Sequence, residues 1–160
     1  MRRGEEPKMG FFEKIKQKSD EVVLVANSIG AYFAMNSLSE KQINEAFFIS
    51  PVVDMERLIT NMMTYADVTE SKLREKGEIP TSFGGTLSWE YLCYVRLNPI
   101  KWKVKTHILY GENDNLTSLE TIKTFALKVG ATLTVMPDGE HWFHTEPQMK
   151  FLDEWIKNYR

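Results

Sequence analysis

This sequence predicts an α/β architecture, a mostly parallel sheet flanked by helices, and three observations carry the prediction. Short continuous apolar runs suited to buried strands alternate with stretches at helical spacing. At 160 residues the chain is long enough to bury a core as a single domain, 1–160, and too short for a large barrel or a two-domain enzyme. With 42% apolar and 26% charged residues it has the make-up of an ordinary soluble globular chain.

Taken in order, Phe11, Phe12 and Ile15 sit at helical spacing ahead of the run VVLV at 22–25, which reads as a strand. The small-residue stretch NSIGAYFAMNSL then suits a packed helix, and AFFIS at 46–50 suits a second strand. HILY at 107–110 and TLTVM at 132–136 are two further strands. Between them Thr117 and Glu120 suggest a capping box, Ile122, Phe125, Ala126 and Val129 share a face, and Gly130 stops the helix. A last helix would turn Met149, Leu152, Trp155 and Ile156 inward. One segment, 51–105, breaks the alternation and reads as a helical cap insertion without strands. It holds one amphipathic helix marked by Met55, Leu58, Ile59, Met62 and Met63 and another marked by Leu87, Tyr91, Leu92 and Val95. GEIPTSFGGT would join them as a lid or a disordered connection.

The charge balance, 20 basic against 22 acidic residues, leaves no electrostatic footprint for nucleic acid or an anionic membrane. The start of the chain has basic residues but passes at once to Glu5, Glu6 and Lys8, without the apolar run of a signal peptide or a membrane span. A cytoplasmic protein is expected. Cys93 is the only cysteine, which excludes an internal disulfide, and its apolar setting WEYLCYV reads as a small core residue.

Chemistry is suggested by Ser28 in Ala26-Asn27-Ser28-Ile29-Gly30, where a strand gives way to a helix. Small residues flanking a serine at such a junction suit a nucleophile elbow, a sharp turn that lifts the hydroxyl above the sheet at a helix N-terminus. The plain alternative is a helix N-cap formed by Asn27 or Ser28. A base must come from three histidines. His107 lies inside a strand and reads as structural, whereas His141 and His144 follow the last strand in DGEHWFH, and His141 is preferred because it directly follows the glycine turn. An anion to orient that base is offered by Asp114 in YGENDN, with Asp54 in SPVVD as the substitute and Asp138 too near His141 in sequence.

With Ser28, Asp114 and His141 in that order, each after a different strand, the sequence resembles the later part of the α/β-hydrolase fold superfamily of serine esterases and lipases. The segments that carry the likeness are VVLVANSIG, FISPVVD, ILYGENDNLTS and DGEHWFHTEPQMKFLDEWI. Ala26 stands where a glycine is more usual. The resemblance implies a Ser-His-Asp hydrolase of an ester or related acyl bond that needs neither cofactor nor metal. It implies strands ahead of the elbow strand that this chain does not hold, and with them a second oxyanion donor beside the N–H of Ile29. Loss of such a donor costs about 100- to 1000-fold in rate. The competing expectation is a truncated, non-catalytic hydrolase-like protein that acts through self-association. Both readings share one corollary. The outer edge of the strand at 22–25 should be bare and could pair with its equivalent in a homodimer. The substrate is expected to be a small acyl molecule, with Met residues, Trp89, Tyr91 and Tyr94 of the insertion as candidate pocket lining or, more simply, core.

Overall fold

The computed structural model describes residues 10–159, so the reading of Glu5, Glu6 and Lys8 lies outside the described residues. Four parallel strands, β1 (Val23–Asn27), β2 (Glu45–Ile49), β5 (Thr106–Gly111) and β6 (Thr132–Met136), form one sheet in the order β1-β2-β5-β6. The fold is thus α/β with a mostly parallel core sheet. Its inner strands β2 and β5 are buried along both faces, whereas the outer strands β1 and β6 are only half-buried. On one face Ala46, Phe48, Ile108 and Tyr110 pack against Ala31 and Met35 of α2 (Ser28–Ser37) and Ile122, Phe125 and Ala126 of α6 (Leu119–Val129). The alternate residues Phe47, Ile49 and Leu109 face Trp155 of α7 (Glu146–Lys157). That second face has one helix for four strands, and Val25 at its edge stays 55% exposed.

β1 ends the sheet. Asn44 N–H donates to Val22 C=O, and since backbone groups alternate in direction along a strand, Val23, Val25 and Asn27 turn theirs away from β2. Among the described residues no strand pairs with that edge. The first helix, α1 (Phe11–Lys16), bears the apolar residues read at helical spacing but fully buries none of them: Phe11 is 80% exposed, and Phe12 and Ile15 are half-buried.

The segment between β2 and β5 departs from the helical reading. Besides α3 (Met55–Tyr65) and α5 (Trp89–Leu97) it contains α4 (Glu70–Lys76) and an antiparallel pair, β3 (Glu78–Pro80) with β4 (Thr86–Ser88). GEIPTSFGGT is therefore an ordered hairpin, closed where Thr81 N–H donates to Gly85 C=O and the Thr81 hydroxyl to the same oxygen. Three-residue strands are too short for the alternation that reveals strands in a sequence. Met55, Ile59 and Met63 bury with Leu73, Leu87, Leu92 and Val95 in a core of their own against Tyr32. The simpler of the two readings of these side chains, core and not pocket, describes this cluster.

Two local expectations shift by a residue or a face. The cap of α6 is Ser118, whose hydroxyl accepts from Thr121 N–H, because Thr117 is engaged elsewhere. In α7 the buried positions include Gln148 and Trp155, while Met149 is 49% exposed. Gln148 takes the inner place because its amide closes a capping box with Thr145. Cys93 is half-buried on α5, not a core residue.

Candidate functional site

β1 runs straight into α2, and the junction is strained at one residue. Asn27 is extended, and Ser28 takes φ 47°, a conformation that side chains other than glycine avoid. Gly30 is not what the turn demands, since a Cβ there would meet only Asn27 Oδ1 at 4.0 Å. The strain is held from outside, by Val52 N–H donating to Ser28 C=O at 3.0 Å. Asn27 occupies the N-cap position without a side-chain cap hydrogen bond, and the Ser28 hydroxyl is turned to a histidine, so neither acts as the helix cap.

That histidine is His141, with Nε2 2.8 Å from Ser28 Oγ. Its Nδ1 lies 2.7 Å from Asp114 Oδ2. Against an ionised carboxylate Nδ1 must carry the proton, so in the neutral ring Nε2 accepts from the serine hydroxyl. The Asp114 side chain is fully buried and that of His141 nearly so, at 0% and 4% exposure. Burial alone would push the Asp114 carboxyl up. Hydrogen bonds from His141 and from the N–H groups of Thr117 and Leu116 outweigh it and hold the group below the usual aspartate value. Those two backbone donors reach Oδ1 at 3.0 and 2.8 Å, leaving Oδ2 to the imidazole.

Two glycines bring the acid turn and the histidine loop together: Gly139, in the turn that marked His141 in the sequence, and Gly111, which was not singled out there. A Cβ on Gly111, the last residue of β5, would lie 2.5 Å from Glu140 C=O and 2.7 Å from Gly139. One on Gly139 would lie 3.0 Å from Gly111 Cα. The contact is sealed by Asn113 N–H donating to Gly139 C=O and Glu112 N–H to Met136 C=O. Tyr110 ties down the far side of the turn by donating its hydroxyl to Thr117 C=O at 2.7 Å. The signal was present in YGENDN and DGEH, where one glycine precedes each polar cluster, but their mutual contact is a tertiary fact.

The other candidates lie elsewhere. Asp54 spends its carboxylate on capping α3, accepting from Arg57 N–H. His144 is exposed and donates Nδ1–H to Trp142 C=O, not toward Ser28. Asp138 stands at φ 54° in the turn before Gly139, its N–H donating to Glu112. His107 is buried near the start of β5, between Thr132 and Glu45 and stacked on Phe47, at the end of the sheet remote from Ser28. Ile29, the second residue of α2, presents its N–H in the open first turn of that helix. Among the described residues no group of three His, Cys, Asp or Glu side chains could hold a metal ion, and no helix is long and apolar enough to cross a membrane.

No family model matches the sequence, and no curated protein matches it either. Solved structures do match it in fold. An inferred hydrolase from Agrobacterium vitis S4 superposes with a TM-score of 0.69 at 17% identity, over 92% of this chain and 66% of that one. Est1E from Butyrivibrio proteoclasticus matches with a TM-score of 0.64 at 16% identity, over 90% of this chain and 66% of that one. Alpha/beta hydrolase domain-containing protein 10 from mouse matches with a TM-score of 0.63 at 13% identity, over 94% and 69%. The chain has an α/β-hydrolase-like fold with a partial core sheet. It spans about 66% of the length of the first two of these structures.

Proposed function

We propose that this chain is a serine hydrolase acting on an ester or related acyl bond. The observation that carries the reading is the unbroken line from Ser28 Oγ through His141 to the buried Asp114, at 2.8 and 2.7 Å. In this reading Ser28 Oγ attacks the acyl carbonyl while its proton passes to His141 Nε2. The imidazolium so formed is stabilised by Asp114, and the carbonyl oxygen, now an anion, lies toward the Ile29 N–H at the positive end of α2. Collapse expels the leaving group, which takes the proton from His141. Water then attacks the acyl-serine, giving its proton to the same nitrogen; the bond to Ser28 Oγ breaks, the acid is released, and His141 returns that proton to Ser28 Oγ. No cofactor or metal enters these steps. A cytoplasmic setting belongs to the same proposal, since a lone cysteine needs no oxidising compartment. Residues 1–160 act as one domain in it, with 51–105 as the insertion above the sheet. A fluorophosphonate probe tests the nucleophile. Labelling of the folded chain that vanishes in Ser28→Ala is expected, and labelling that persists in that variant overturns the assignment.

The unpaired edge of β1 favours a second reading, a non-catalytic protein that acts by self-association. Outward backbone groups on Val23, Val25 and Asn27, with no lysine or proline in the strand, offer a template for the same strand of a second copy. A two-fold homodimer would satisfy them symmetrically. Light scattering decides this point: a dimer that Val23→Lys dissociates is expected, and a stable monomer at high concentration refutes it. A folded dimer that takes no fluorophosphonate label would favour the second reading over the first.

A further inference from the structure

Beside Ser28 and His141 lies a groove of about 690 Å³ that reaches the exposed edge strand β1. Its apolar lining comes from Val25 on β1, Ile29 on α2, Ile49 on β2, Trp142 and Phe143 in the histidine loop, and Leu152 on α7. Among the described residues no Asp, Glu, Lys or Arg lines it. Its polar side chains are Asn27, Ser28, His141 and His144. The Met-rich cluster of the insertion takes no part. Val25 is 55% exposed and Trp142 74%, an unusual amount of surface for an aliphatic strand residue and a tryptophan side by side.

Resting on the hydrolase reading above, we infer that this groove is the acyl-binding site and that it takes an uncharged, apolar acyl group of medium length. Three features set the class. The groove is continuous with Ser28, so a group held in it is joined to the carbonyl under attack. Its walls hold no fixed counter-charge, so an ionised acyl group would lose water and gain no partner. Its length follows from the strand, for Val25 lies three residues below Ser28, roughly 10 Å at about 3.3 Å per residue. With carbon–carbon bonds of about 1.5 Å, that distance accommodates a chain of about six to eight carbons. At the rim stands the exposed side chain of His144. Its Nδ1–H is committed to Trp142 C=O, which holds the tryptophan backbone beside the groove.

Two measurements test the inference, one of them independent of turnover. With p-nitrophenyl esters, kcat/KM should rise about fourfold per added methylene from acetate to hexanoate and level off beyond octanoate. An ester of the same length ending in a carboxylate should fall at least tenfold below its uncharged counterpart. In Val25→Asp the ratio of hexanoate to acetate rates should drop at least tenfold. Nile red, an uncharged apolar dye, should bind the wild-type chain at least tenfold more tightly than Val25→Asp, both proteins first shown to be folded by circular dichroism. Equal turnover of acetate and hexanoate, or dye binding indifferent to Val25→Asp, overturns the groove assignment. Dye binding that responds to Val25→Asp without turnover of any ester leaves the groove in place and overturns the Ser28 reading instead.

Discussion

Replacing Gly111 by alanine should disable the site without touching any residue in its hydrogen-bonded line. The added Cβ would sit 2.5 Å from Glu140 C=O and 2.7 Å from the carbonyl carbon and oxygen of Gly139. All are backbone atoms, so no side chain can swing aside. Ordinary contact begins at 3.4 Å, and the two loops must therefore part by about 0.9 Å. His141 follows Glu140 directly and Asp114 lies three residues beyond Gly111, so the displacement falls on the 2.7 Å bond between them. Stretched to about 3.6 Å, that bond is outside hydrogen-bonding range. A misplacement of this size costs about 100-fold in rate, and the crowding itself costs about 1–3 kcal/mol of stability. Gly77→Ala is the control. Its φ of 74° makes alanine unfavourable there, but nothing lies within 4 Å and the residue caps the C-terminus of α4 in the insertion. It should lose about 1 kcal/mol and keep its rate. Ester hydrolysis and thermal melts of both variants would be compared, together with the proton NMR signal of His141 Nδ1–H, which does not depend on turnover. A Gly111→Ala protein within threefold of the wild-type rate, or with that proton signal unchanged, refutes the packing argument.

Other variants probe the same frame. Because Asp114 titrates below its ordinary value in the folded chain, its contribution to stability is complete above the unfolded value near 3.8 and disappears as pH falls through the lower folded one. Asp114→Asn should therefore flatten the acid limb of urea stability measured from pH 2.5 to 7, and should slow ester turnover by about 10⁴-fold; an unchanged acid limb would refute the carboxylate's role. Asp54→Ala should cost about 0.5–2 kcal/mol through loss of the α3 cap, with turnover retained, whereas Asp54→Asn should be nearly neutral because asparagine also caps; loss of activity in Asp54→Asn would return the acid to that position. Ser50 is 1% exposed and its hydroxyl has no hydrogen-bond partner. Ser50→Ala should raise stability by about 1 kcal/mol, about 2–4 °C in Tm, and a loss of similar size would show that the hydroxyl is satisfied by water.

What the sequence determined by itself is what repeats locally. Runs such as VVLV and AFFIS announce strands, and the spacing of Ile122, Phe125 and Ala126 announces the helix between the last two strands. The chain order of Ser28, Asp114 and His141 was legible for a related reason: in a parallel sheet every strand ends at the same edge, so residues that follow different strands converge there. Convergence to within a hydrogen bond was not legible. Which of Asp54 and Asp114 reaches the imidazole depends on Asp54 being consumed by the first turn of α3. Which histidine faces the serine depends on the Gly111–Gly139 contact between segments 28 residues apart in sequence. The outward rotation of Met149 and the inward turn of Gln148 likewise follow from a capping box whose competing apolar alternative had the stronger pattern. The β3–β4 hairpin is three residues to a side and shows no period at all. The groove is the furthest from the sequence, since its lining is drawn from two strands, two helices and one loop that share no local pattern. Periodicity records which face of an element is buried, and only the packed chain decides what that face meets.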